Sequence, residues 1–200
     1  MKVIFFIAII AAVALCNTDV QFEESELALE SQVIFANSSL QPYVDFLKGY
    51  FVSDSNAPLY KQCDSKWGGN YISSKTICQV GCLMSSVSMG LSAHGKTIGG
   101  GAINPGTLNS WLKSNGGYQG NLLIWGAANK FGVSYQGQFK DVSNYANSQK
   151  SFITILNVHN GGHWVLATGY SNGVYTVNDP GYQTTSYRAS EVVLGGVYKL

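Results

Sequence analysis

The hydrophobic pattern changes along the chain, from helical spacing in the middle to alternation in the last third. Three segments predict helices: the small-residue run 83–93 that follows Cys82, the run that opens with Asn104 and Pro105, and the run 122–131. Asparagine before proline is a typical helix start, because asparagine caps free N–H groups and proline suits the first turn. The middle of the chain is therefore predicted to be helical.

The last third of the chain predicts an antiparallel sheet. Its apolar and β-branched segments predict strands at 152–158, 163–170, 174–178 and 197–200. Turn signals rich in asparagine and glycine lie at 160–162 and 171–173, before the second and third strands. Helices followed by a meander of strands predict an α+β domain.

The first 16 residues have the composition of a secretory signal peptide. Lys2 precedes an unbroken apolar run, 3–15, and the segment 14–16 suits a signal peptidase. The run is shorter than the roughly 20 residues that a membrane span needs. We therefore expect a signal peptide at 1–16 and no membrane attachment after its removal.

Charge divides the rest of the chain at residue 57. Segment 17–56 contains seven acidic residues and one lysine, a net charge of −6, whereas segment 57–200 contains ten basic and four acidic residues, a net charge of +6. Segment 17–56 is interpreted either as a solvated extension or as a propeptide that covers a basic domain, 57–200. Its glycosylation sequon at Asn37 is usable only in the secretory pathway.

The sequence disfavours several classes of partner. Its basic residues are scattered singly, and all but Arg188 are lysines, so no arginine-rich stripe suits nucleic acid. The sequence shows neither a phosphate-binding loop nor a dinucleotide fingerprint. We therefore expect no nucleic-acid partner and no cofactor.

An odd number of thiols remains once the signal peptide is removed. Cys16 lies in that peptide, which leaves Cys63, Cys78 and Cys82. In an oxidising compartment two of three thiols can pair, and the third stays free. Cys82 is the best candidate for the free thiol, because it opens a predicted helix, where the positive end of the dipole favours a thiolate. Cys82 is therefore the candidate nucleophile.

A base and an orienting carboxylate are predicted on the sheet. His163 begins one strand, and Asp179 lies just beyond the next, with the turn halfway between them. On neighbouring antiparallel strands the two residues would lie opposite each other, or nearly so, and point to one face. Asn178 is a rival for the orienting role, but alternation puts it on the other face. A Cys-His-Asp triad follows if the Cys82 helix packs on the face of His163.

Four motifs of the domain carry a family resemblance. Two of them are Leu-Tyr-Lys-Gln-Cys-Asp-Ser-Lys-Trp at 59–67 and Thr-Ile-Cys-Gln-Val-Gly-Cys at 76–82. The others are Gly-Gly-His-Trp-Val at 161–165 and Asn-Asp-Pro at 178–180. In this order they resemble the motifs of the bacteriocin-processing-peptidase-like cysteine peptidases, a papain-like family. The resemblance covers residues 59 to about 200 and implies a papain-like fold in a soluble, stand-alone domain.

The resemblance also implies a role for each site residue. Cys82 would be the nucleophile, His163 the general base and Asp179 the residue that orients the base. Gln62 matches the family's oxyanion-hole glutamine, whose amide works with the backbone N–H of the nucleophile. The chain departs from the family after the cysteine, with Leu-Met-Ser at 83–85 where Gly-Pro-Thr is common. A bulkier residue beside the nucleophile would reshape the acyl site.

The remaining cysteines allow more than one arrangement. With Cys82 assigned as the nucleophile by the resemblance, we favour a disulfide between Cys63 and Cys78, which would stabilise the fold by about 3 kcal/mol. Pairing of Cys78 with Cys82 stays open and would block the nucleophile. A zinc site from the three cysteines and a histidine is the metal alternative, which the lack of a C-x-x-C pair disfavours.

We therefore expect a monomeric thiol hydrolase, secreted or in a lysosome-like compartment, that cleaves peptide bonds. One alternative keeps the catalytic residues and changes the substrate to peptidoglycan, as an amidase or endopeptidase. The other is a catalytically silent secreted binding module with the same fold.

Overall fold

The computed structural model of the protein describes residues 57–200. The predicted signal peptide 1–16 and the acidic segment 17–56, with its sequon at Asn37, lie outside the described residues. Within residues 57–200, no helix has the length and apolar character that spanning a membrane requires.

Helices occupy mainly the first half of the described domain. The α-helices are α1 Ile77–Val80, α2 Cys82–Ala93, α3 Pro105–Ser114 and α4 Ser143–Asn147. Short 3-10 helices form at Trp125–Phe131, His159–Gly161 and Ala189–Glu191. Only Gly81 separates α1 from α2, so the chain turns immediately before Cys82.

The strands form two small hairpins and one antiparallel sheet. The hairpins pair β1 Thr97–Ile98 with β2 Gly101–Ala102, and β3 Tyr118–Gln119 with β4 Leu122–Leu123. The sheet contains β5 Ser134–Phe139, β6 Phe152–Val158, β7 His163–Ser171, β8 Val174–Asn178, β9 Ser186–Arg188 and β10 Leu194–Lys199. Their order across the sheet is β5-β10-β6-β7-β8-β9. This is the α+β architecture expected from the sequence.

Both faces of the sheet are buried. Along β7, Trp164 and Leu166 pack in the core that contains α2, whereas Val165 packs in a second core that contains α4. Gly90 lets α2 approach the sheet closely, because a Cβ there would overlap Cγ2 of Ile153. Alternation along the central strands therefore supplies two cores, and α2 covers one face of the sheet.

Most predicted elements form where the sequence places them. The strands at 152–158 and 174–178 have the expected bounds. The side chain of Asn104 caps α3 by accepting from the Thr107 N–H, and Pro105 occupies the first turn. Local capping and alternation were sufficient signals for these elements.

The helix predicted at 122–131 is wrong at its start, although its second part is helical and ends at Gly132 as predicted. Leu122 and Leu123 pair with β3 as strand β4, after a turn in which Gly120 has φ +61°. This turn reverses the chain just before Leu122, and the two residues that follow it pair with β3 in an extended conformation instead of starting a helix. Only Trp125–Phe131 coils, as a 3-10 helix.

Candidate active site

Cys82 is the first residue of α2 and the free cysteine of the described residues. Gly81 is the N-cap and makes no side-chain cap. A Cβ on Gly81 would lie 2.5 Å from the Ile77 carbonyl oxygen, so the turn before Cys82 requires glycine. The helix start therefore offers N–H groups and positive dipole potential at the position of Cys82.

A hydrogen bond joins His163 and Asp179 at the ends of β7 and β8. His163 Nε2 lies 2.7 Å from Asp179 Oδ1. Both side chains are buried, so water does not compete for the bond. The imidazole is therefore fixed through Nε2, which leaves Nδ1 free for a further partner.

The two residues lie diagonally across the strand pair rather than opposite each other. Leu166 pairs with Asn178, after a one-residue shift within the β7–β8 ladder. Continuing this pairing by one residue would set Asp179 opposite Val165, two positions from His163. The sequence predicted that the two residues lie opposite each other, or nearly so. The offset arises because the turn is centred between Asn172 and Gly173 instead of at Ser171, and the register shift reduces that offset by one residue. Diagonal neighbours are still within reach of long side chains.

The helix α2 does not pack on the face of His163, which was the condition on which the sequence predicted the triad. By alternation His163 falls on the side of Val165, whereas Trp164 faces the core that contains α2. Cys82 and His163 approach each other at the end of the sheet instead, because each is the first residue of its element, and Cys82 contributes to raising the pKa of His163. Ser86 Oγ donates to the Trp164 carbonyl oxygen at 3.1 Å, which ties α2 to the start of β7.

The surroundings of His163 favour its protonated form. Burial lowers its pKa, but the hydrogen bonds to Asp179 and Cys82 and the charges of both residues outweigh burial and raise the pKa to about 9. The imidazole is therefore mostly protonated at neutral pH. A positively charged ring therefore lies near the side chain of Cys82.

Hydrogen bonds hold Asp179 at both carboxylate oxygens. Besides His163, Oδ1 accepts from the backbone N–H groups of Gly181 at 2.8 Å and Tyr182 at 2.9 Å. Oδ2 accepts from the Tyr187 hydroxyl at 2.8 Å. Burial opposes ionisation, yet these hydrogen bonds lower the pKa of the Asp179 carboxyl below its usual range. Asp179 is therefore a carboxylate whose orientation is fixed.

Gln62 lies beside the same cluster. Its backbone N–H donates to the Pro180 carbonyl oxygen at 2.9 Å, and its side-chain Nε2 donates to the Cys78 carbonyl oxygen at 2.7 Å. A Cβ on Gly181 would lie 2.8 Å from Cε1 of His163 and 3.6 Å from Oε1 of Gln62, so both side chains border this glycine. The amide has two N–H groups, and one remains after the bond to Cys78.

A disulfide joins Cys63 to Cys78. It ties the loop that carries Gln62 to α1, and closing this loop stabilises the fold by about 3 kcal/mol. The pairing of Cys78 with Cys82 does not occur. The zinc alternative also loses its basis, since two of its thiolates are joined in the bridge.

Three residues around the pair were not predicted from the sequence. Tyr187 lies on β9 and its hydroxyl oxygen is 3.2 Å from His159 Nε2. The His159 ring stacks on the ring of His163, with 5.5 Å between centroids. Lys61 Nζ donates to the backbone carbonyl oxygen of Asp179 at 2.7 Å. A three-residue strand has no usable periodicity, so the sequence carries no signal that would bring Tyr187 to the site.

Comparison with known families shows to which family the chain belongs. The family model of the Peptidase_C39 like family matches residues 55–198, which include the whole cluster around Cys82, His163 and Asp179. The chain belongs to the Peptidase_C39 like family. Neither a curated protein nor a solved structure matches it. The α+β fold and the membership together show a papain-like, cysteine-peptidase-like domain in residues 57–200.

Tyr187→Phe tests the anchoring of the carboxylate in this Peptidase_C39 like domain. We expect the pKa of Asp179 to rise, because the lost hydrogen bond lowers it. The free energy of unfolding should fall by about 1–3 kcal/mol, since a buried charged acceptor loses a donor. Carboxyl-carbon NMR titration and urea denaturation measure the two effects.

Tyr198→Phe is the matched control for this substitution. Tyr198 is also buried, and its hydroxyl donates to the Trp125 carbonyl oxygen at 3.0 Å instead of to a carboxylate. Tyr198→Phe should reduce the free energy of unfolding by about 1 kcal/mol and leave the pKa of Asp179 unchanged. An Asp179 pKa that Tyr187→Phe does not move would contradict the anchoring of Oδ2.

Proposed function

We propose that the domain is a thiol hydrolase that cleaves peptide bonds through Cys82, His163 and Asp179. The supporting observation is the buried bond of 2.7 Å between His163 and Asp179 together with a free thiol, Cys82, that helps to raise the pKa of His163, in a chain of the Peptidase_C39 like family. Cysteine nucleophiles need an adjacent base that a third group orients. The Cys63–Cys78 disulfide suits an oxidising compartment, so we assign the reaction to the secretory pathway.

The first half of the reaction transfers the acyl group to Cys82. The thiolate attacks the carbonyl carbon, a C–S bond forms, and the π electrons move to the carbonyl oxygen. That oxygen accepts hydrogen bonds from the Gln62 side-chain amide and the Cys82 backbone N–H. His163 then gives its Nδ1 proton to the nitrogen of the leaving group, the C–N bond breaks, and a thioester remains.

The second half of the reaction releases the acyl group by hydrolysis. Neutral His163 takes a proton from water, and the oxygen of that water attacks the thioester carbon. The C–S bond breaks, the carboxylic product leaves, and the thiolate–imidazolium pair is restored. Throughout both halves, Asp179 holds the ring through Nε2 and stabilises its positive charge without taking the proton.

Iodoacetamide labelling at about pH 6 tests the nucleophile and its base. In a Cys16→Ser background we expect rapid labelling of Cys82, slowed at least about tenfold by His163→Ala because the thiolate loses its imidazolium partner. Hydrolysis of an unfolded protein substrate should disappear in Cys82→Ala and fall about 10²–10⁴-fold in His163→Ala.

His94→Ala is the control for the His163 substitution. His94 caps the opposite end of α2, so its loss should leave the labelling rate unchanged. Slow labelling of Cys82 in the protein with His163 intact would overturn the proposed function in favour of a silent binding module. So would a labelling rate that His163→Ala does not change.

The pH profile of hydrolysis tests the role of Asp179. His163 has a pKa raised to about 9, so its imidazolium is present below that pH and is lost above it. We therefore expect kcat/KM to decline as the pH rises through about 9. Asp179→Asn removes a hydrogen bond and a charge that raise this pKa, so the decline should move to lower pH.

Asp141→Asn is the control for this profile, because Asp141 is exposed and its Oδ1 accepts from the Ser143 N–H at the start of α4, far in sequence from His163. Its profile should match that of the unsubstituted protein. If kcat/KM declines at the same pH in Asp179→Asn as in the unsubstituted protein, Asp179 does not set the pKa of the base.

A further inference from the structure

A cleft of about 240 Å³ opens beside Cys82. The start of α2, the β3–β4 hairpin and the residues around the start of β7 form its walls. Cys82 itself lines the cleft, as do Gly162 and Trp164 on either side of His163 in sequence. A group bound here would therefore lie beside the nucleophile of the proposed reaction.

The cleft has an apolar lining. Val80, Leu83, Leu122, Leu123 and Trp164 supply much of it, and Leu122 is 73% exposed on the hairpin. Among the described residues that line the cleft, none is aspartate, glutamate, lysine or arginine. An exposed leucine at the mouth of an uncharged cleft is surface that an apolar ligand group can cover.

The polar side chains of the lining already have partners. Asn121 Oδ1 accepts from the Ser74 N–H at 3.0 Å, and the Tyr118 hydroxyl donates to Asn109 Oδ1 at 2.9 Å. Gln79 Oε1 accepts from the N-cap backbone of α1 in a capping box. A polar ligand group would have to replace these bonds, so apolar contact is the main gain that the cleft offers.

We propose that this cleft binds an apolar side chain of the peptide substrate and that Leu83 and Leu122 set this preference. The proposal rests on the proposed function. Because Cys82 lines the cleft, the side chain belongs to the residue at the scissile bond or to its immediate neighbour.

The size of the cleft fits one side chain. An apolar cavity of about 150 Å³ holds a benzene ring, and pockets for drug-sized ligands begin at about 300 Å³. At about 240 Å³, the cleft suits a leucine-, isoleucine-, methionine- or phenylalanine-sized group. The lining offers no lysine or arginine with which an acidic side chain could form an ion pair in place of its hydration.

Affinity labelling with dipeptidyl fluoromethyl ketones tests the preference without a known substrate. In the first series, the residue next to the ketone is leucine, phenylalanine, glycine or aspartate and the residue before it is alanine. In the second series, the two positions are exchanged. The full chain in a Cys16→Ser background is labelled, and iodoacetamide is run in parallel to measure thiol reactivity alone. In one series, the leucine and phenylalanine reagents should label Cys82 at least about tenfold faster than the glycine and aspartate reagents.

Leu122→Asp tests whether this cleft is the cause of the preference. The substitution places a carboxylate at the cleft mouth on an exposed position, and we expect the leucine preference to fall at least about tenfold once each labelling rate is divided by the iodoacetamide rate of the same variant. Leu122→Ser should lower the preference less. Ile124→Asp is the matched control, since Ile124 is 44% exposed on the adjoining segment but does not line the cleft.

Each outcome separates the two proposals. Fast iodoacetamide labelling with no preference for apolar reagents would overturn the assignment of the cleft and leave the hydrolase proposal standing. A preference that persists in Leu122→Asp, or falls equally in Ile124→Asp, would also overturn it. Slow iodoacetamide labelling would reject the proposed function and this inference with it.

Discussion

The hydrogen bond between His163 and Asp179 is the interaction on which the rest of the site depends. It joins the first residue of β7 to the residue after β8, across a ladder whose register shifts by one. Because the bond is buried, losing either partner would leave an unpaired polar group, and Tyr187 and two backbone N–H groups hold the carboxylate in addition. The turn at Gly81 then brings Cys82 to an imidazole whose orientation is already set.

Local signals predicted much of this fold, and tertiary packing decided the rest. The strands at 152–158 and 174–178 and the capped start of α3 have the expected bounds, since alternation and capping are local. The three-residue strand β9 and the polar strand β5 have no such signal. The face that α2 covers was also beyond local reasoning, because it depends on how closely α2 can pack against β6.

The sequence also predicted one part of the candidate site and missed another. Motifs and their order brought Cys82, His163, Asp179 and Gln62 to attention, and the structure places all four in one region. The family resemblance drew attention to Leu83 beside the nucleophile but gave no indication of Leu122. Leu122 is exposed and lines the cleft with Cys82 because the chain reverses at Gly120, just before the segment where a helix was predicted. The part of that helix that did not form and the proposed determinant of specificity are therefore the same residues.

Detection of an acyl group on Cys82 tests the central claim most directly. The full chain would be mixed with the nitrophenyl ester of N-acetyl-leucine, quenched in acid, digested and analysed by mass spectrometry. We predict a thioester adduct on the peptide that contains Cys82 and no such adduct in Cys82→Ala. Ester turnover that persists in Cys82→Ala, or an adduct confined to another residue, would contradict the assignment of Cys82 as the nucleophile.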